Sequence, residues 1–152
     1  MSVKDILDNY INTKNNLTSA RASKWSNAQV WLNYEGKGIL VNFCSQIQMT
    51  AGWKGSWYHD PFGQHNEGIG QVIIKAFKEQ ENYLTGKSST SDLVKFTIGQ
   101  DPNREKEFIL SISNGGNVVP FSEKVNSTDI TPAFLENKLE LAFDKLYLSE
   151  LR

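Results

Sequence analysis

The chain has 152 residues, enough for one domain with a core that needs no disulfide staple, and 39% hydrophobic against 22% charged residues excludes disorder throughout. With 16 basic and 17 acidic residues the net charge is -1, which leaves no electrostatic footprint for nucleic acid or an anionic membrane. The single cysteine, Cys44, excludes an internal disulfide and fits a reducing, cytoplasmic compartment; no apolar run reaches bilayer length, and Met1–Asp5 does not lead into a signal-peptide block.

The first element reads as a helix. Val3, Ile6, Leu7, Tyr10, Ile11 and Leu17 recur at three-four spacing, and Ser2 or Asp5 supplies a cap. Residues 12–27 are rich in Ser, Thr and Asn, so the helix is expected to fray there into a loop. Next comes an expected hairpin, with Ala28–Tyr34 as one strand and Glu35-Gly36-Lys37-Gly38 as its turn. Ile39, Val41, Phe43, Ile47 and Met49 would share one strand face, with Asn42, Cys44, Gln46 and Gln48 on the other. A second helix is expected from about Glu67 to Leu84, with Ile69, Val72, Ile73, Ala76 and Phe77 inward and Gly86 as its stop.

A polar linker, Lys87 to Ser91, leads to a three-strand meander. Leu93–Gly99 and Glu107–Ser113 are its first strands, and Val118–Phe121 returns after the Asn114-Gly115 turn. The last segment opens on Thr131-Pro132, a cap followed by a first-turn proline, and runs through Leu135, Leu139, Ala142, Phe143, Leu146 and Tyr147. The expected fold is α+β, a single domain over 1–152. About three helices cover one side of an antiparallel or mixed sheet of about five strands, in the order α-ββ-α-βββ-α.

Chemistry concentrates in Gly52–Gly68, which fits neither a helix nor a strand period, reads as a shaped connection between the hairpin and the second helix, and carries two of the four tryptophans and both histidines. His59, Asp60, His65 and Glu67 are residue types that ligate zinc, iron or manganese, and His59, His65 and Glu67 are the candidate metal set of a metal-assisted hydrolase. Their spacing matches no His-Glu-x-x-His pattern, and Asp60 and Asn66 equally suit turn and cap roles. Ser56, His59 and Asp60 have the residue types of a triad but lack a nucleophile elbow. Gly63, Gly68 and Gly70 form neither a phosphate loop nor a dinucleotide fingerprint, so no cofactor is expected. Cys44 has no Cys-x-x-Cys partner and reads as a structural thiol.

The aromatics point elsewhere. Trp53, Lys54, Trp57, Tyr58, Asp60, Phe62 and Glu67 are the candidate contacts of a protein interface, since tryptophan and tyrosine anchor such surfaces. Trp53 and Trp57 fit a core role equally well. The preferred expectation is a small non-catalytic protein-binding domain with a protein partner. It would be an inhibitor acting by occlusion, as bacterial immunity proteins do by class analogy. The alternatives are the hydrolase and a structural subunit of a larger assembly.

Overall fold

The computed structural model describes residues 2–82, 87–115 and 121–152. Helix α1 spans Val3–Asn33 and helix α2 Glu35–Met49; strands follow at Trp53–Asp60 (β1), Gln71–Asn82 (β2), Lys87–Gln100 (β3), Phe108–Ser113 (β4) and Phe121–Val125 (β5). A short 3-10 turn at Ser127–Asp129 leads into helix α3, Pro132–Phe143, which widens into a π-helical turn at Asp144–Leu148 and ends in a 3-10 turn at Ser149–Leu151. The five strands form one antiparallel meander in the order β1-β2-β3-β4-β5. The expected class, a five-stranded antiparallel sheet with three helices, is the one observed.

The element order differs from expectation in three places, one of them β1, which forms as a regular strand at Trp53–Asp60 inside the segment expected as an irregular connection because pairing with β2 imposes the alternation that its residue types do not show. First, residues 28–49 are helical rather than a hairpin. No glycine or proline stands between Ser2 and Glu35, so nothing stops α1 in the Ser/Thr/Asn-rich stretch where fraying was expected. A Ser2/Asp5 capping box starts it. In α2 the buried residues are Gly36, Leu40, Phe43, Cys44 and Ile47, a three-four period, whereas Val41 and Met49 of the expected strand face are 39% and 84% exposed. Both periods are present in this apolar run, and packing selects the helical one. A Cβ at Gly36 would run into the Trp31 ring, so only glycine fits where α2 leaves α1.

Second, the expected helix from Glu67 to Leu84 is strand β2 from Gln71 onward. The consecutive β-branched residues Val72, Ile73 and Ile74 favour strand, and alternate burial of Val72, Ile74 and Ala76 fixes its register. Lys87–Ser91, expected as a linker, belongs to β3. Leu84, Gly86 and the expected return residues Val118–Pro120 lie outside the described residues; β5 is described from Phe121. Thr131 caps α3 by accepting from the Phe134 amide, with Pro132 in the first turn, as expected.

All three helices cover the same sheet face. Phe43 of α2 meets Phe96 of β3 edge-on at 5.8 Å, Trp31 of α1 tilts on Phe108 of β4 at 5.2 Å, and Phe143 of α3 meets Trp53 of β1 edge-on at 5.4 Å. Val72, Ile74, Val94, Phe96, Ile98, Phe108, Leu110 and Ile112 are 1% exposed or less beneath them. Each such side chain contributes about 1.5–3 kcal/mol of burial free energy. Helix α2 lies so close to β1 that a Cβ at Gly55 would approach the Cys44 carbonyl oxygen to 2.8 Å. Burial there pushes the Cys44 thiol pKa up and keeps it protonated.

Candidate interaction surfaces

Strand alternation decides where the sequence candidates go. Trp53, Trp57 and His59 face the helices, whereas Lys54, Ser56 and Tyr58 face the open side of the sheet. Trp53 and Trp57 are half-buried against the core. His59 stacks on Trp57 at 5.5 Å and bonds through Nε2 to the Leu32 carbonyl oxygen at 2.9 Å, so the nitrogen carries the proton. Ser56 and Asp60 therefore lie across the sheet from His59, and the three triad types do not converge.

Asp60 is 4% exposed and works inside the chain. Its carboxylate accepts from the Gln64 amide at 2.9 Å and the His65 amide at 3.0 Å, which winds up the connection from Pro61 to Gly70. Gly63 and Gly68 take positive φ values of 68° and 81° there, and the Gly68 amide closes the loop on the Gly63 carbonyl at 2.9 Å. Asn66, expected as a helix cap, has no helix to cap and donates to the Ile69 carbonyl oxygen at 3.4 Å. His65 and Glu67 are exposed on this loop, whereas His59 is half-buried on β1. Among the described residues no group of three or more His, Cys, Asp or Glu side chains comes together in a metal-binding arrangement. Of the seven interface candidates, Lys54, Tyr58, Phe62 and Glu67 reach the surface; Trp53, Trp57 and Asp60 are partly or wholly taken up by the fold.

A further exposed apolar surface among the described residues lies on α1. Residues 2–24 are exposed at every position; Thr18 and Arg21 line a cleft with Pro102, Asn103, Arg104 and Glu105, and before them about 22 Å of helix, Val3 to Leu17, projects from the domain as an arm. Its base is held at Trp25. The Gln100 side chain donates to the Trp25 carbonyl oxygen at 2.8 Å, Arg104 lies 4.7 Å over the Trp25 ring, and Lys24 donates to the Glu105 carbonyl oxygen at 2.8 Å. Beyond that clamp the arm carries Val3, Ile6, Leu7, Tyr10, Ile11 and Leu17 at 52–72% exposure. The same side holds Lys14 and Arg21, which with Tyr10, Thr13, Leu17 and Thr18 line a shallow groove of about 320 Å³. Asp5 and Asp8 fall on the opposite side at 100° per residue.

This stripe was legible as a helix period but not as a surface. The signal was the uninterrupted run from Ser2 to Glu35: a helix that long outreaches the sheet that covers its end, and two cations interrupt its apolar row. No helix among the described residues is long and apolar enough to cross a membrane. No family profile, no curated protein and no solved structure matches the chain.

Proposed function

We propose that this chain is a non-catalytic protein-binding domain that engages its partner through the α1 arm. The observation that carries the reading is the row of six large apolar side chains on one helix, each 52–72% exposed among the described residues. An isolated helix of this length, rich in Ser, Thr and Asn, is marginal in water. A partner groove that takes the apolar side stabilises it and removes the stripe from solvent, in the manner of helix-in-groove recognition. The finer reading is an inhibitor of the immunity-protein kind, in which the arm occludes its target and the rigid sheet domain supplies the bulk. A buried, lone Cys44 suits such a protein in the reducing cytoplasm.

The test is affinity capture from the native host with wild type and with Leu7→Ser/Tyr10→Ser, followed by titration of the captured protein. The proposal expects a saturable partner that the double variant loses. A partner retained at full affinity by the double variant rejects the arm as the binding element.

A further inference from the structure

The arm's charges have a match within the same chain. The outward face of α3 and the turns after it exposes Glu136, Asn137, Glu140, Leu148 and Leu151. Asn137, Glu140, Leu141, Asp144, Leu148 and Arg152 line a shallow groove there of about 420 Å³. The cations of this segment are committed elsewhere. Lys138 pairs with Glu123, Lys145 lies 4.6 Å over the Phe121 ring, and Arg152 pairs with Asp144 at 2.5 Å. Among the described residues Glu136 and Glu140 have no ion-pair partner, and neither do Lys14 and Arg21 on α1.

We propose that the arm of one chain docks antiparallel along the outward face of α3 and the C-terminal turns of a second copy, with Lys14 beside Glu140, Arg21 beside Glu136, and Val3, Ile6 and Leu7 beside Leu148 and Leu151. This rests on the arm being a protein-binding surface and names its partner. Both helices present ridges at three-four spacing, so one lies along the groove of the other. In the antiparallel sense Val3, Ile6 and Leu7 meet Leu148 and Leu151, and Lys14 and Arg21 meet the carboxylates. The alternatives place charge badly. A parallel pair of arms sets Lys14 against Lys14 and Arg21 against Arg21. An antiparallel pair of arms leaves these cations unneutralised, because Asp5 and Asp8 lie on the far side of the helix. The contact joins two different patches, so it propagates head to tail or closes by exchange of arms.

Sedimentation velocity of the full chain over a concentration series tests this, with circular dichroism confirming that each variant is folded. Wild type is expected to self-associate. Lys14→Glu/Arg21→Glu and Glu136→Lys/Glu140→Lys should each weaken association more than about tenfold, because like charges then face each other. An equimolar mixture of the two variants should associate again, since the reversed charges complement one another between unlike chains. A wild type that stays monomeric up to its highest soluble concentration overturns the proposal, as does a mixture that fails to re-associate. If wild type stays monomeric while arm substitution still abolishes capture of a host protein, self-docking is wrong and the protein-binding reading stands. If neither self-association nor host capture responds to the arm, both are wrong.

Discussion

The side chain of Gln100 donates a hydrogen bond from Nε2 to the carbonyl oxygen of Trp25 at 2.8 Å, joining the end of β3 to the base of the arm across 75 residues of sequence. Its Oε1 accepts from the Gly70 amide at 2.8 Å, and the residue is 2% exposed, so one buried amide ties together α1, β3 and the approach to β2. Gln100→Leu fills a similar volume but leaves the Gly70 amide without its acceptor and strips the Trp25 carbonyl of the bond it accepts beyond its helical one. The expected cost is about 3 kcal/mol, read by urea unfolding, with faster amide exchange around Trp25. A loss below about 1 kcal/mol would mean that water replaces the bridge.

Asp101 is held as a carboxylate by a ring of donors and should contribute to stability against acid. Burial raises its pKa, but the amides of Lys106, Asn103 and Glu105 together with the Lys124 ammonium outweigh that, and the carboxyl is held below its ordinary value of 3.8. The amide bonds are 3.1, 3.0 and 3.1 Å long, and the ammonium lies 3.6 Å away. A lowered folded-state pKa contributes stability that is complete above the unfolded value and is lost as pH falls through the folded one. Asp101→Asn should therefore remove a stabilisation seen at neutral pH and flatten the stability curve below about pH 4. Parallel curves for the two proteins across that window would contradict this assignment.

Two glycines of the Pro61–Gly70 connection separate conformational strain from steric exclusion. Gly68 has φ 81° with open space around it, whereas a Cβ at Gly63 (φ 68°) would collide with the Gly68 backbone. Gly68→Ala should cost about 1 kcal/mol, the penalty of a left-handed alanine. Gly63→Ala should cost more than about 3 kcal/mol, because the loop must open as well. Thermal unfolding of the pair checks the order, and equal losses would show that the loop readily rearranges.

On the open sheet face Lys75 and Lys95 stand directly opposite each other on β2 and β3. Like charges at such a position repel. Lys95→Glu should raise stability by about 0.5 kcal/mol at low salt, with the gain shrinking as salt is added. A destabilised variant would show that the two ammonium groups already diverge.

The sequence made the class of fold legible because its strongest local signals agree with the packing. Thr131-Pro132 does start α3, and Phe108, Leu110 and Ile112 do alternate into the core. It misplaced elements where two periods overlay one apolar run. Leu40, Phe43, Cys44 and Ile47 make a helical stripe inside a segment that also alternates, and Val72–Phe77 does the converse. Which period wins depends on what lies above and below, which sequence spacing does not contain. The aromatic segment drew attention for its residue types, yet strand alternation turned Trp53, Trp57 and His59 toward the helices and committed Asp60 to its own loop. The arm drew none, because an apolar stripe at helical spacing ordinarily faces a core.

Substitutions on the arm separate binding from folding. Ile6→Ser, Leu7→Ser and Leu17→Ser remove side chains that are already 52–60% exposed, so thermal unfolding of the domain should shift little, within about 0.5 kcal/mol each. A loss of several kcal/mol would mean that the arm packs on its own domain.

The most direct measurement is photo-cross-linking in the native host, with a photoreactive amino acid placed in turn at Tyr10 on the arm and at Phe62 on the aromatic loop. The account predicts a discrete protein adduct from position 10, a second copy of the chain included, and little from position 62. Adducts from position 62 with none from position 10 would contradict it and return the interface to the loop.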